Sequence, residues 1–366
     1  MWPSSELAVA WRRSCCHFKR AISSDYVTTK LHNILAGLLD EKRASLAEAI
    51  TLVESKHPVK QKQAQWLLSS LLTHKHRLEQ LRKAPITFRI GLSGPPGAGK
   101  STFIETFGQM LTSAGKKLAV LTIDPSSSRT GGSILADKTR MLKLSQDPLA
   151  YIRPSPSSGT LGGVTRSTNE AILLCEGAGY GTVIVETVGV GQSEIAVADM
   201  VDIFVLLLPP AAGDELQGIK KGIVEMADVI AITKADGDLL PAARRIQAEY
   251  TSALKLVRKK SKHWSPRVLG LSSLNNEGIS EVWNVMEEFR DTMLEVGTFE
   301  ERRKEQRKTW MWNNVQWQLM QKFQRHPEVV SMINEMETKV MVGTISPGLA
   351  ADQLLEVFLN QQEINQ

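Results

Sequence analysis

Apolar residues in the first quarter of the chain recur at helical spacing, and then the period vanishes. Between about Asp25 and Arg82, Leu31, Ile34, Leu35, Leu38 and Leu39 mark one face, and Leu46, Ala49, Ile50 and Val53 a second. Ala64, Leu67, Leu68, Leu71 and Leu72 mark a third. His57-Pro58 parts the second from the third, because the residue before a proline is pushed out of the helical region. The pattern predicts a small helical bundle over residues 25–84.

From Ile86 onward the apolar residues form nearly continuous runs: "ITFRIGLSG", "KLAVLTID", "GTVIVETVG", "DIFVLLLPP", "VIAITKAD" and "RVLGLSS". Runs without alternation suit strands covered on both faces, the habit of parallel sheets. A helix-length segment separates each from the next, so residues 85–290 predict a doubly wound, mostly parallel α/β sheet. Residues 291–366 read as a helical extension. Its charged "EERRKEQRK" suits a solvated face, and its last helix starts where Ser346 can cap and Pro347 takes the first turn. Trp310, Trp312 and Trp317 are too apolar to stay solvated, so they pack on the main domain or on a second copy; a dimerisation arm, and hence a homodimer, is the expectation.

Composition changes this picture in few places. A 42% hydrophobic and 23% charged chain is ordinary for a globular protein, and no apolar run approaches the ~18 residues of a membrane span, so no membrane role is expected. Three cysteines, Cys15, Cys16 and Cys175, make no disulfide framework and fit a reducing compartment. Residues 1–24 carry Arg12, Arg13, Lys19 and Arg20 against Glu6 alone, so +3 of the net +5 sits there. Too little positive charge remains elsewhere to argue for nucleic acid. In that opening segment Leu7, Trp11, Cys15, Phe18 and Ile22 recur at helical spacing among serines and basic residues. The profile fits a mitochondrial transit peptide; a basic terminal tail is the alternative.

The chemistry concentrates at strand ends. "GPPGAGKST", Gly94, Pro95, Pro96, Gly97, Ala98, Gly99, Lys100, Ser101 and Thr102, follows a strand and opens a helix, the context that a P-loop needs. Its backbone N–H groups would converge on phosphates, Lys100 would reach the β and γ phosphates, and Ser101 would ligate Mg²⁺. "TKAD" ends another apolar run: Lys234 and Asp236 suit guanine, whose N1–H and exocyclic amine both donate to a carboxylate, whereas adenine would strand it. P-loop GTPases usually place Asn where this chain has Thr233. In "LSSLNNEG", Ser272, Ser273 and Leu274 are placed to present backbone donors to the guanine oxygen. GTP or GDP is therefore the expected ligand.

Between these lies "ETVGVGQSE", in which Glu186 occupies the second Mg²⁺-side position. Gln192 falls two residues later than a water-orienting glutamine would, so hydrolysis by the protein alone should be slow. In "DPSSSRTGGSILADKTR", Asp124 and Asp137 are further candidate metal-side acids, with a plain linking loop as the alternative. "PPAAGDELQGIKKG" is longer than a nucleotide site requires; Lys220 could be an inserted charge on the transferring phosphate, with Asp214 and Glu215 restraining it, or the stretch could be a solvated turn. Two rival classes stay open at this point. A P-loop kinase would need an acceptor pocket and base, and a metal-inserting GTPase would need a Cys/His cluster.

Taken together, "GLSGPPGAGKSTFIE", "ETVGVGQSE", "VADMVD", "LLLPPAAGDELQGIK", "RRIQAEY" and "SPGLAAD" resemble the cobalamin-delivery P-loop GTPases of the methylmalonic aciduria type A family and its bacterial relatives, over roughly residues 40 to 360. The resemblance implies a GTPase that gates adenosylcobalamin loading into methylmalonyl-CoA mutase and protects the loaded enzyme. It also implies a homodimer in the mitochondrial matrix, with the adenosyltransferase that supplies the cofactor as a second candidate partner. In that family the "GDELQGIK" loop is a third switch that communicates with the mutase.

Overall fold

The computed structural model describes residues 28–81, 86–124, 141–156, 161–187, 192–210, 221–256 and 261–364. The chain divides into two compact units, one ending at Lys304 and the other running from Glu305 to the C-terminus.

The first unit opens with three helices, α1 (Thr29–Leu39), α2 (Arg43–Val53) and α3 (Pro58–Gln80). The first and third start where a side chain serves a free backbone group. The Thr28 hydroxyl accepts from Leu31 N at 3.3 Å, and His57 Nδ1 accepts from Val59 N at 3.3 Å, with Pro58 in the first turn after the expected break. Leu35, Leu38, Leu46, Ile50 and Leu67 are fully buried among these helices.

Strands and helices then alternate: β1 (Phe88–Ser93), α4 (Lys100–Ser113), β2 (Leu118–Asp124), α5 (Leu142–Gln146), β3 (Ala150–Pro156), α6 (Leu161–Gly177), β4 (Thr182–Thr187), α7 (Gln192–Ala198), β5 (Ile203–Leu208), α8 (Lys221–Met226), β6 (Val229–Ile232), α9 (Leu240–Leu254), β7 (Arg267–Gly270) and α10 (Ile279–Glu295). The sheet runs β3-β2-β4-β1-β5-β6-β7, and every pairing among the described strands is parallel. Every residue of β1, β4 and β5 is buried, which explains their unbroken apolar runs. The three opening helices belong to this unit. Leu71 of α3 lies so close to α6 that a Cβ at Gly177 would come within 2.4 Å of it.

One strand is not legible in the apolar runs. β3, "AYIRPSP", contains Pro154 and Pro156, which argue against a central strand. Among the described residues it pairs only with β2, at the sheet's edge, where a missing donor costs little. Where six strands were expected, the described residues form seven.

At the amino ends of β1 and β5 lies a network of buried charge that the sequence reading missed. Glu176, at the end of α6, accepts from Arg89 Nε at 2.6 Å, Lys75 Nζ at 2.8 Å and Thr87 Oγ1 at 2.8 Å. Arg303 donates to both oxygens of Asp202, at 2.8 and 2.6 Å, and to the Thr87 carbonyl at 2.8 Å. Asp202 also accepts from Arg89 N at 2.8 Å. Burial alone would raise the Glu176 pKa, but Arg89 and Lys75, with Arg303 behind them, hold it well below the usual carboxylate range. Cys175, beside it, is a fully buried core residue. His76 is exposed and His74 half-buried; burial and then Arg77 lower the His74 imidazole pKa.

Helix α11 (Thr298–Gln324) leads into the second unit, where α12 (Pro327–Met341) and α13 (Pro347–Ile364) pack against each other. Phe358 meets the rings of Phe323 and His326, both at 5.4 Å. The Ser346 hydroxyl caps α13 by accepting from Leu349 N at 3.2 Å, as expected. Met311, Trp312, Val315 and Leu319 form an exposed stripe on α11.

Candidate functional site

β1 sits where chain connections diverge: the path from β1 goes to one side of the sheet, and after β4 it returns across β1 to β5. Ligands of open α/β sheets bind at such a switch point, beyond the carboxyl ends of the strands. The "GPPGAGKST" turn leaves β1 there.

Its glycines have separate reasons. A Cβ at Gly94 would stand 2.3 Å from the Leu207 carbonyl oxygen, so only glycine fits between β1 and β5. Gly97 and Gly99 adopt φ of 77° and 81°, the left-handed region that glycine enters without strain. The buried Lys100 folds back over the turn and donates from Nζ to the carbonyls of Gly94 at 2.7 Å and Pro95 at 3.2 Å. Its ammonium is thus held at the mouth of the loop. Ser101 and Thr102 follow in the first turn of α4, where unpaired N–H groups and the helix dipole favour an anion.

Glu186 is buried near the end of β4, in register with Leu92 of β1 and Thr122 of β2. One residue later the Thr187 hydroxyl meets the Ser93 hydroxyl at 3.0 Å, so β4 is tied to the strand that carries the loop. Among the described residues no three His, Cys, Asp or Glu side chains converge as a metal cluster. Mg²⁺ asks less of a protein, usually one or two side chains plus phosphate oxygens and water. A hydroxyl at the helix start and a buried carboxylate on the adjacent strand fit that demand.

The residues expected on the base side lie at the ends of β6 and β7. Thr233 does not imitate the usual asparagine in shape, but its buried hydroxyl lies 2.8 Å from the Ala98 carbonyl and 3.2 Å from that of Leu208. One hydrogen can serve either, so the base strand is tied to the phosphate loop or to β5. Lys234 is exposed with φ of 53°, and the chain then turns so that Ala235 N donates to Leu271 O at 3.0 Å. The Ser272 hydroxyl donates to Asp236 Oδ2 and accepts from Asn275 N at 3.1 Å. Asp236 is thereby aimed by the neighbouring loop. Leu274 is 80% exposed, so its side chain takes no part in the core.

The structure therefore joins Gly94 through Thr102, Glu186, Lys234, Asp236 and Ser272 through Leu274 at one end of the sheet. Asp124 ends β2 and Gln192 opens α7, but the side chains of both lie outside the described residues, as do Asp137, Asp214, Glu215 and Lys220 altogether. Two contacts escaped the sequence reading. Glu105 of α4 accepts from Lys143 N at 2.9 Å and Leu144 N at 3.2 Å, capping α5. Thr106 reaches the Ser273 carbonyl at 3.2 Å. An acid and a hydroxyl on a helix face give no motif, so nothing in the sequence marks either.

Residues 46–328 match the family model described as methylmalonyl Co-A mutase-associated GTPase MeaB. The chain belongs to the MeaB family of P-loop GTPases. It is 59% identical over 337 residues to the mitochondrial methylmalonic aciduria type A homolog of Mus musculus, which covers 92% of this chain and 81% of that one. It is 43% identical over 320 residues to GTPase ArgK of Escherichia coli, covering 87% and 94% respectively. A solved structure titled as a LAO/AO transport system kinase superposes with a TM-score of 0.71 at 36% identity, over 91% of this chain and 99% of that one. MeaB membership makes this protein a guanine-nucleotide-binding GTPase and agrees with the doubly wound sheet.

Proposed function

We propose that this MeaB-family protein uses GTP to gate adenosylcobalamin loading into methylmalonyl-CoA mutase and to protect the loaded enzyme. The observation that carries the nucleotide half is the tie from Thr233 to the Ala98 carbonyl, which joins a base-reading strand to a phosphate loop. The partner half is supported by the match of residues 46–328 to a family described as mutase-associated. Relatives from Mus musculus and Caenorhabditis elegans are named as mitochondrial, which supports action in the mitochondrion, and in the matrix if residues 1–24 are a transit peptide. The adenosyltransferase that makes adenosylcobalamin is the second partner in this reading.

In this reading the turn from Gly94 to Thr102 holds the phosphates, with Lys100 on the terminal ones, and Asp236, Lys234 and residues 272–274 hold guanine. Ser101 and Glu186 hold Mg²⁺, with Asp124 or Asp137 able to join; the ion, when bound, neutralises charge on the phosphates. Glu186, one methylene longer than the commoner aspartate, acts through a water. Gln192 is placed late for orienting the attacking water, so turnover waits on the mutase. The loop around Lys220 then supplies the missing charge when the partner docks. The stripe of Met311, Trp312, Val315 and Leu319 supports a homodimer through the C-terminal helices.

The direct experiment is GTP turnover by the full chain with and without methylmalonyl-CoA mutase. A stimulation of about tenfold or more is expected, and Lys220→Ala should remove most of it. Equal turnover with and without saturating mutase would rule the proposal out.

A further inference from the structure

Helix α4 starts at the phosphate loop, and Thr106 sits about one and a half turns further along it. Its half-buried hydroxyl lies 3.2 Å from the Ser273 carbonyl oxygen and 3.1 Å from that of Thr102, one turn back in its own helix. A threonine hydroxyl carries one hydrogen, so it serves one carbonyl at a time. The contact to Thr102 changes nothing outside α4. The contact to Ser273 reaches across 167 residues of sequence into the loop between β7 and α10.

The Ser273 carbonyl and the Leu274 N–H belong to one planar peptide, and in a trans peptide they point in opposite directions. Holding the carbonyl toward α4 therefore aims the Leu274 N–H away from it. Accepting a hydrogen bond at the carbonyl also polarises the N–H and makes it a better donor. The rest of the loop is fixed on its other side, by the paired bonds of Ser272 and Glu277 at 3.0 Å and by Asn275 N on the Ser272 hydroxyl at 3.1 Å.

We propose that Thr106 is a positioning residue for guanine: through the Ser273–Leu274 peptide it orients the N–H that meets the 6-oxygen of the base. One helix then sets both the phosphate end and the base end of the site. The inference rests on reading residues 272–274 as the guanine loop, and its test separates the two.

The test is release of a fluorescent GDP derivative from the full chain, followed by stopped flow for wild type, Thr106→Val, Thr106→Ser and Asp236→Ala. Thr106→Val keeps the side chain's shape and removes the donor. It should speed release about fivefold, the order expected for one neutral hydrogen bond, while Thr106→Ser restores the wild-type rate. The same nucleotide built on 2-aminopurine lacks the 6-oxygen and, with it, the N1 hydrogen; it should leave faster from every form, with wild type and Thr106→Val at equal rates. A defect in packing of α4 would instead accelerate both nucleotides alike, and that result would overturn the proposal. So would fast release from Thr106→Ser, which would assign the effect to the methyl group. If Thr106→Val releases GDP at the wild-type rate while Asp236→Ala loses it, a guanine site between Asp236 and residues 272–274 stands and Thr106 has no part in it. If Asp236→Ala also behaves as wild type, the reading of that guanine site fails and the proposal with it.

Discussion

The two ends of β1 are built on opposite plans. At its amino end, Thr87 and Arg89 enter a buried network with Glu176, Asp202 and Arg303, in which each charge faces an opposite charge at hydrogen-bond distance. At its carboxyl end, four residues on from Arg89, Ser93 leads into a turn of glycines, a lysine resting on carbonyl oxygens, and a helix start. The first end uses charge to hold elements together. The second presents N–H groups and an ammonium for an anion to complete. The comparison teaches that polarity at a strand end is functional only where its partners lie in a ligand rather than in the fold.

That contrast breaks most readily at Lys100. Lys100→Ala should lower GTP turnover by about a hundredfold or more, measured as phosphate release at saturating nucleotide, while circular dichroism still shows a folded chain. Loss of the fold along with activity would mean that the phosphate end is structural after all.

At the opposite end the expected effect is on stability. Glu176→Gln leaves Arg89 and Lys75 without their carboxylate and should cost about 3–5 kcal/mol in denaturant unfolding, with GTP affinity of the folded protein little changed. The same residue sets an acid dependence. Its folded pKa is depressed, so its contribution is present above the unfolded value of about 4.3 and is lost as pH falls toward the folded one. Wild type should therefore lose stability in that acid range, and Glu176→Gln should lose less.

A smaller effect sharpens the boundary between the two plans. Thr233→Val removes the buried hydroxyl that the Ala98 carbonyl faces at 2.8 Å, while the Leu208 carbonyl keeps its bond from Thr233 N at 2.8 Å, and should cost about 1–2 kcal/mol of stability. Because Ala98 belongs to the phosphate loop, the variant should also bind GDP several-fold more weakly, and Thr233→Ser should recover both.

How much of this was legible in sequence follows the same division. The phosphate loop, and a strand-end aspartate of the kind that suits guanine, could be read because the chemistry demands fixed residue types at fixed spacing next to strands. The helical bundle and the central strands could be read because burial imposes a period or abolishes one. The amino-end network could not: Glu176 and Arg303 are 127 positions apart and carry no spacing rule, although Asp202, an acid closing "VADMVD" just before a wholly apolar strand, hinted at a buried partner. β3 was hidden by its prolines, which mark it as an edge only once its neighbour is known. Thr106 was invisible because what it touches is a backbone carbonyl, and any sequence supplies one.

The central claim is that one guanine nucleotide spans from the Gly94–Thr102 turn to Asp236. Calorimetric titration of the full chain with GTP and with ATP, each with Mg²⁺, tests it most directly. GTP should bind at least about a hundredfold more tightly, and Asp236→Ala should erase the difference by weakening GTP alone. Equal affinity of the unaltered chain for the two nucleotides would contradict the account.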